Sequence, residues 1–229
     1  MLLLTIAIAP ALFLLGFIYI KDKYEREPLS FVLKTYFYGM LIVPVVLAWH
    51  YLIANNFLPE ASSFSHTGSA IYQAFIEAAI PEEFLKFLVF LLIVYNNKNF
   101  DEFFDGIVYA VAISLGFATV ENVLYVLQGG VSVGLNRALF AVPAHFMMGI
   151  TQGFFFGLAK FKDKKALYIT LALVSAIIIH GIYDFLLFME RTWLLVVFAV
   201  YFYLMYVLAK KQINIHLENS QFKDKSNET

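Results

Sequence analysis

The feature that most constrains this chain is a series of long apolar runs separated by short polar connections. A helix needs about 20 apolar residues to cross a bilayer, and only a backbone that satisfies its own hydrogen bonds is stable there. We identify seven such runs, at about 2–20, 31–53, 71–95, 105–127, 137–159, 166–188 and 192–209. The pattern predicts an all-α fold: a polytopic membrane helix bundle with about seven transmembrane helices.

Composition supports a membrane protein and excludes several kinds of site. The chain is 61% hydrophobic and 14% charged, whereas a soluble domain is nearer half apolar and a quarter charged. Its formal net charge of -1, with no basic stretch interleaved with aromatics, gives no reason to expect a nucleic-acid partner. Because the chain has no cysteine, disulfides, thiolate nucleophiles and cysteine-ligated zinc are excluded.

Basic residues alternate along the connections between the runs. The first, third and fifth connections and the tail are basic, whereas the second, fourth and sixth hold at most one arginine. The positive-inside rule then places the N-terminus outside and the C-terminus in the cytoplasm. We expect residues 1–209 to form a single transmembrane domain and residues 210–229 to form a polar, disordered cytoplasmic tail.

Ionisable residues are costly inside a span and usually face a bundle interior or a watery cavity. The third to sixth runs carry them in four short motifs: Glu82, Glu83 and Lys86; Glu121 and Asn122; His145; and His180 and Asp184. At 1.5 Å per residue, the motifs lie roughly 9–16 Å below the outer ends of their helices. Their common depth predicts one buried polar site that opens towards the outer face.

Two kinds of chemistry fit these residues. A carboxylate shielded from water binds a proton more readily, so Glu82 or Glu83 could activate water while a histidine donates to an oxyanion. Alternatively, a divalent metal, most plausibly zinc, could be held by carboxylates and imidazoles from different helices. The metal ligands would then be Glu83, Glu121, His145 and His180.

The remaining polar residues are predicted to lie outside this site. We expect Asp101, Glu102 and Asp105 to be solvated at a cytoplasmic helix end, and His50, His66 and His216 to be interfacial or exposed. Pro81 removes a backbone hydrogen bond just before the glutamate pair, so it should open or kink the helix there.

The same motifs resemble those of the PrsW family of membrane proteases. The resemblance rests on "EEFLK", "FATVEN", "HFMMG" and "HGIYD", in that order, and on the earlier "DKYEREP", so that it covers about residues 22–184. It implies a multi-pass protein of the bacterial cell membrane that makes the first cut in a membrane-anchored anti-sigma factor, on the extracytoplasmic side. More distant relatives, the CAAX-processing and bacteriocin-immunity proteases, end their last motif in Asn and often have His in the second motif, where this chain has Asp184 and Glu121.

The leading hypothesis is an intramembrane peptidase that cleaves a single-span substrate. In it, Glu82 or Glu83 activates the water, with Glu83 favoured and Glu82 assisting, while His145 and His180 stabilise the oxyanion, donate a proton or bind metal. Lys86, Asn122 and Asp184 orient them, and Glu121 lines the same site. Two alternatives stay open: a proton-coupled transporter, since buried Glu, His and Lys also build proton relays, and an inactive scaffold that binds a partner span.

Overall fold

The structure, a computed structural model, describes residues 1–223, and within that range every regular element is helical. The prediction of an all-α, polytopic helix bundle is confirmed. The main helices are α1 (Leu2–Lys21), α2 (Leu29–Trp49), α3 (Ile80–Val89), α4 (Phe103–Asn136), α5 (Val142–Phe161), α6 (Lys165–Phe188) and α7 (Leu194–Glu218). Shorter segments are Asn55–Phe57, His66–Ile71 and a 3₁₀ turn at Ala61–Ser63.

Wider, π-helical turns extend or join several of these helices. They follow α2 at His50–Ala54, flank α3 at Tyr72–Ala79 and Phe90–Val94, and lead into α5 at Arg137–Ala141. Such turns are rare and occur mostly inside helices, frequently at functional sites. Here three of them adjoin the helices that carry the glutamate pair and His145.

Helices α4 and α5 form a hairpin at the centre of the bundle. The chain reverses at Gly130, whose φ of 72° lies in the region that favours glycine, and helix resumes directly after it. Below this turn the two helices touch where Gly106 meets the backbone of Gly153 and Gly157. Small residues let membrane helices approach closely, so the hairpin provides a rigid, almost fully buried core against which the other helices pack.

The surrounding helices present apolar side chains outwards. Within the described residues, five helical stretches are long and apolar enough to cross a membrane: Leu2–Lys21, Leu29–Ile53, Phe103–Phe161, Lys165–Phe188 and Leu194–Glu218. The stretch Phe103–Phe161 turns back at Gly130 and so contains two predicted spans. The third predicted span, around α3, is not among the five, because Glu77, Glu82, Glu83 and Lys86 interrupt its apolar sequence. The number of seven spans stays a prediction.

Three expectations for the end of the bundle that is predicted to be cytoplasmic are wrong. Glu102 and Asp105, predicted to be solvated, are 1% and 0% exposed. His216, predicted to be interfacial or exposed, is buried, and its Nε2 donates to the carbonyl of Phe154 at 2.9 Å. The tail also begins as helix rather than disorder, since α7 continues to Glu218 and packs inwards; residues 224–229 of the predicted tail lie outside the described residues.

The predicted orientation can be tested by labelling single cysteines, because the chain contains none. Ser62 and Asp163 are exposed in the second and fifth connections. Ser62→Cys should react with a membrane-impermeant maleimide in intact cells, and Asp163→Cys only after permeabilisation. The reverse pattern would contradict an outside N-terminus and a cytoplasmic C-terminus.

Candidate active site

The glutamate pair lies in the first turn of α3, directly after a π-helical segment. Pro81, which has no N–H to donate, stands beside the pair at the start of α3. The irregularity expected near Pro81 is therefore present as the change from the π-helical turns of Tyr72–Ala79 to α-helix. Glu82, Glu83 and Lys86 are all buried on the face of α3 that meets the bundle.

Lys86 is the centre of the polar cluster. Its Nζ donates to Glu83 Oε1 at 2.7 Å, lies 3.5 Å from Glu82 Oε2, and lies 3.4 Å from His145 Nδ1. The ammonium group also stands over the ring of Phe117, 4.1 Å from its centroid. A buried charge is tolerated only when it is paired and hydrogen-bonded, and Lys86 meets both conditions while joining α3 to α5.

His180 on α6 lies between two carboxylates. Its Nδ1 is 2.9 Å from Glu83 Oε1, and its Nε2 is 3.2 Å from Asp184 Oδ2 one turn further along α6. A carboxylate oxygen only accepts hydrogen bonds when ionised, so both ring nitrogens face acceptors and the imidazole bridges Glu83 and Asp184 as a donor. Asp184 thereby fixes the orientation of the ring and aims Nδ1 at the glutamate pair.

His145 on α5 connects the glutamate pair to α4. Its Nδ1 faces the Lys86 ammonium, which can only donate, so Nδ1 accepts and Nε2–H donates to Glu121 Oε2 at 3.1 Å. The ring stands perpendicular to that of His180, with 5.4 Å between centroids. Ser114 of α4 donates to the carbonyl of His145 at 2.7 Å, which holds α5 in register with α4 at this level.

Arg137 is the site residue that sequence reasoning missed. Its Nη2 donates to Glu121 Oε2 at 2.6 Å, its Nε donates to Asn122 Oδ1 at 3.0 Å, and its guanidinium lies over the ring of Tyr125. In the sequence it stands out only as the one basic residue at the edge of the fourth connection. This isolation could have indicated its role, because a lone arginine in an otherwise uncharged connection suggests a carboxylate partner nearby.

Asn122 anchors the network to the first helix. Its Nδ2 donates to the backbone carbonyl of Ala7 in α1 at 2.8 Å, while its Oδ1 accepts from Arg137. Within residues 1–223, Asn122 makes no hydrogen bond to either histidine. Its contacts instead hold α1, α4 and the start of α5 together around Glu121.

All the predicted site residues belong to one connected network. Hydrogen bonds and ion pairs run from Asp184 through His180 and Glu83 to Lys86, which also contacts Glu82 and His145. From His145 they continue through Glu121 to Arg137 and Asn122. The contacts place the four sequence motifs side by side, as their similar depths had suggested. The side chains include more carboxylates than permanent cations, so the network favours an added proton or metal cation.

Two cavities meet at this network. The larger, of about 740 Å³, is lined by Glu82, Glu121, His145, His180 and Asp184 on its polar side, and by apolar residues of α6 and α7 on the other. The smaller, of about 310 Å³, reaches Glu82 and Glu121 from the side of α2 and includes His50. Glu83 and Lys86 line neither cavity, so Glu82 is the member of the pair that faces open space.

A metal ion would find a suitable set of ligands beside α3. Donor atoms of Glu82, Glu83 and His180 lie within 4.8 Å of one another, and Glu82 Oε2 is buried without a hydrogen-bond partner. Carboxylate oxygens and imidazole nitrogens are both zinc ligands, and a catalytic zinc site has three protein ligands and an open position for water. This group shares Glu83 and His180 with the predicted ligands, whereas Glu121 and His145 bind each other instead.

The charge balance around Lys86 can be tested by stability measurements. Lys86→Met should lower the free energy of unfolding by about 3–5 kcal/mol, because it leaves buried carboxylates without their cation. Adding Glu83→Gln to that variant should recover part of the loss. Lys210→Met, which removes an exposed lysine of α7, serves as the control and should unfold like the parent; an equal loss in Lys210→Met would contradict the assignment.

Comparison with known proteins identifies the family of this chain. Residues 27–209 match the PrsW family intramembrane metalloprotease. Protease PrsW of Geobacillus kaustophilus is 40% identical over 193 residues, which are 83% of this chain and 82% of that protein. Protease PrsW of Bacillus subtilis is 36% identical over 194 residues (84% and 85%), and that of Clostridioides difficile 31% over 226 residues (96% and 93%).

No solved structure matches the chain. The family match covers most of the residues, and the relatives are aligned over most of their own length. The chain therefore belongs to the PrsW family and is a membrane-embedded protease, a multi-pass protein of the bacterial membrane.

Proposed function

We propose that this protease hydrolyses a peptide bond in a membrane-anchored, single-span protein of the anti-sigma-factor type, near the extracytoplasmic side. Water is activated at the network formed by Glu82, Glu83, His145 and His180. The observation that carries the proposal is the position of Glu82, which is buried, has a carboxylate oxygen without a hydrogen-bond partner, and lines both cavities. The anti-sigma-factor type of substrate rests on the resemblance of the motifs.

The two glutamates take different roles. A general base must lie within hydrogen-bond reach of the water that it deprotonates. Glu82 meets that need because it faces the cavities, whereas Glu83 Oε1 is engaged by both Lys86 and His180. Sequence reasoning favoured Glu83 as the base; the cavity lining favours Glu82, with Glu83 holding Lys86 and His180 in place.

The histidines line the larger cavity beside Glu82. Their N–H groups face carboxylates in this structure, and one that turned to a bound carbonyl oxygen would stabilise the oxyanion that forms when water attacks. His145 Nε2–H is held by Glu121, whose other contact is Arg137. Glu121 and Arg137 are therefore positioning residues for His145.

The ligand set also fits a resident metal, in agreement with the family's description as metalloproteases. Glu82, Glu83 and His180 would hold it, and Asp184 would keep the His180 Nε2 proton so that Nδ1 is free to bind. Zinc, when bound at such a site, lowers the pKa of its water and polarises a carbonyl. The ammonium of Lys86 contacts Glu83 Oε1, the oxygen that also faces His180, so a metal and Lys86 would share that carboxylate.

The larger cavity has the character that a transmembrane substrate requires. Its apolar wall includes Phe198 and Phe202 of α7 and Leu187 of α6, which suit an apolar segment. A peptide bond of a helix is hydrogen-bonded within the helix, so it must be unwound before water can attack, and its free N–H and C=O groups then need polar partners. Asn136, Arg137 and Glu121, which line the same cavity, can provide such partners.

Cleavage by glutamate variants tests the proposal. In proteoliposomes with a purified single-span substrate, Glu82→Gln should lower kcat/KM about 10²–10⁴-fold, the usual contribution of a general base. Glu83→Gln should also lower it, since Lys86 and His180 lose the negative charge that they share. Glu77→Gln, on the same helical segment but outside the network, is the control, and undiminished cleavage by both the Glu82 and Glu83 variants would contradict the proposal.

Metal content distinguishes metal-dependent from glutamate-type chemistry. Elemental analysis of the purified parent should find roughly one zinc per chain, as expected for a single catalytic site. Glu83→Gln and His180→Ala should lose the metal, whereas Glu77→Gln should keep it. A parent that is free of metal and fully active would overturn the metal assignment while leaving the peptidase proposal intact.

A further inference from the structure

A second group of carboxylates lies at the opposite end of the bundle. Asp22, Glu25 and Glu27 come from the connection between α1 and α2, and Glu102 and Asp105 from the start of α4. On α4, Asp105 stands about 24 Å from Glu121 at 1.5 Å per residue. This acidic group is therefore separate from the glutamate and histidine network.

Four members of the acidic group are almost fully buried. Asp22, Glu27, Glu102 and Asp105 are at most 2% exposed, which is unusual because carboxylates are almost never fully buried unless they are paired. No ion pair within residues 1–223 joins any of the four to a lysine or arginine.

Hydrogen bonds satisfy one oxygen of each of these carboxylates. Asp22 Oδ2 accepts from the Glu27 N–H at 3.2 Å, and Asp105 Oδ2 accepts from the Glu102 N–H at 2.7 Å. The hydroxyl of Tyr109 donates to Glu27, and that of Ser220 donates to Glu102. These contacts fix the side chains in position and tie the end of α7 to the start of α4.

The remaining oxygens have no donor. Asp22 Oδ1, Glu27 Oε1, Glu102 Oε1 and Asp105 Oδ1 are all buried without a hydrogen-bond partner. Ionised carboxylates so close together repel one another, so the arrangement requires an added positive charge.

The geometry of three of these side chains suits a metal ion. Glu25, Glu27 and Asp105 each bring a carboxylate oxygen to within 4.8 Å of the others. All the donors are oxygen, without histidine or cysteine, which is the set preferred by calcium and magnesium rather than by zinc. The buried oxygens of Asp22 and Glu102 add negative charge next to this set.

We propose that this acidic group binds a hard divalent cation of the calcium and magnesium class, with Glu25, Glu27 and Asp105 as its ligands. The ion fastens the connection between α1 and α2 to the first turn of α4. Through Glu102 and Ser220 it also stabilises the position of the end of α7. Its role is structural, at a distance from the proteolytic network.

Thermal unfolding of the full-length protein in detergent tests the proposal. After chelator treatment, adding calcium or magnesium should raise the unfolding temperature of the parent, because an ion that binds only the folded state stabilises it. The Glu27→Gln/Asp105→Asn variant should lose this increase. Without metal it should be at least as stable as the metal-free parent, since it buries fewer like charges. Glu83→Gln should keep the increase, which separates this ion from any metal at the proteolytic site.

Terbium luminescence gives a direct reading of binding. Terbium replaces calcium at oxygen sites and emits when a nearby tyrosine is excited, and Tyr109 contacts Glu27. Emission should appear with the parent and be competed away by calcium. For Glu25→Gln, whose side chain is only partly buried, affinity should fall about tenfold or more, because ligand charge sets affinity.

The control is Asp163→Asn, which removes an exposed carboxylate from the same end of the molecule and should bind terbium like the parent. Equal unfolding temperatures of the parent with and without added cations would overturn the proposal and leave shared protons as the source of neutrality. Emission that persists unchanged in the Glu27→Gln/Asp105→Asn variant would overturn it as well.

Discussion

The burial of Lys86 is the interaction on which the rest of the site depends. A lysine ammonium inside an apolar bundle must be paired and hydrogen-bonded, since no water is available to solvate it. Its partners come from its own helix, through Glu82 and Glu83, and from α5, through His145. Because Glu83 also holds His180, satisfying this one cation brings α3, α5 and α6 to a common point.

A second layer of contacts keeps that point in place. Arg137 and Asn122 connect Glu121 to the start of α5 and to α1, so the acceptor of His145 is itself fixed. The close approach of α4 and α5 at their glycines makes the hairpin stiff enough to carry these groups. An active site with fixed polar groups beside a cavity is what peptide hydrolysis inside a membrane requires, since the reacting atoms cannot rely on bulk water.

Much of the site could be predicted because helical geometry is regular. Residues three or four apart share a face, and depth follows from rise per residue, so the motifs containing Glu82, His145 and His180 could be assigned to one site. Arg137 could not be placed in the same way, because its partners lie on the preceding helix and depend on how sharply the chain turns at Gly130. The buried state of Glu102 and Asp105 was missed for a similar reason: it arises from the packing of the first connection and the end of α7 over them.

The sequence by itself determined that the chain is a helical membrane protein with ionisable groups on four consecutive helices, because apolar length and helical periodicity are local properties. It also carried the motifs of the PrsW family. Only the tertiary structure decided that Glu82 rather than Glu83 faces the cavities, that Arg137 supports Glu121, and that acidic residues gather at the opposite end. These outcomes depend on which side chains meet across helices, and such contacts are set by packing between residues that are distant in sequence.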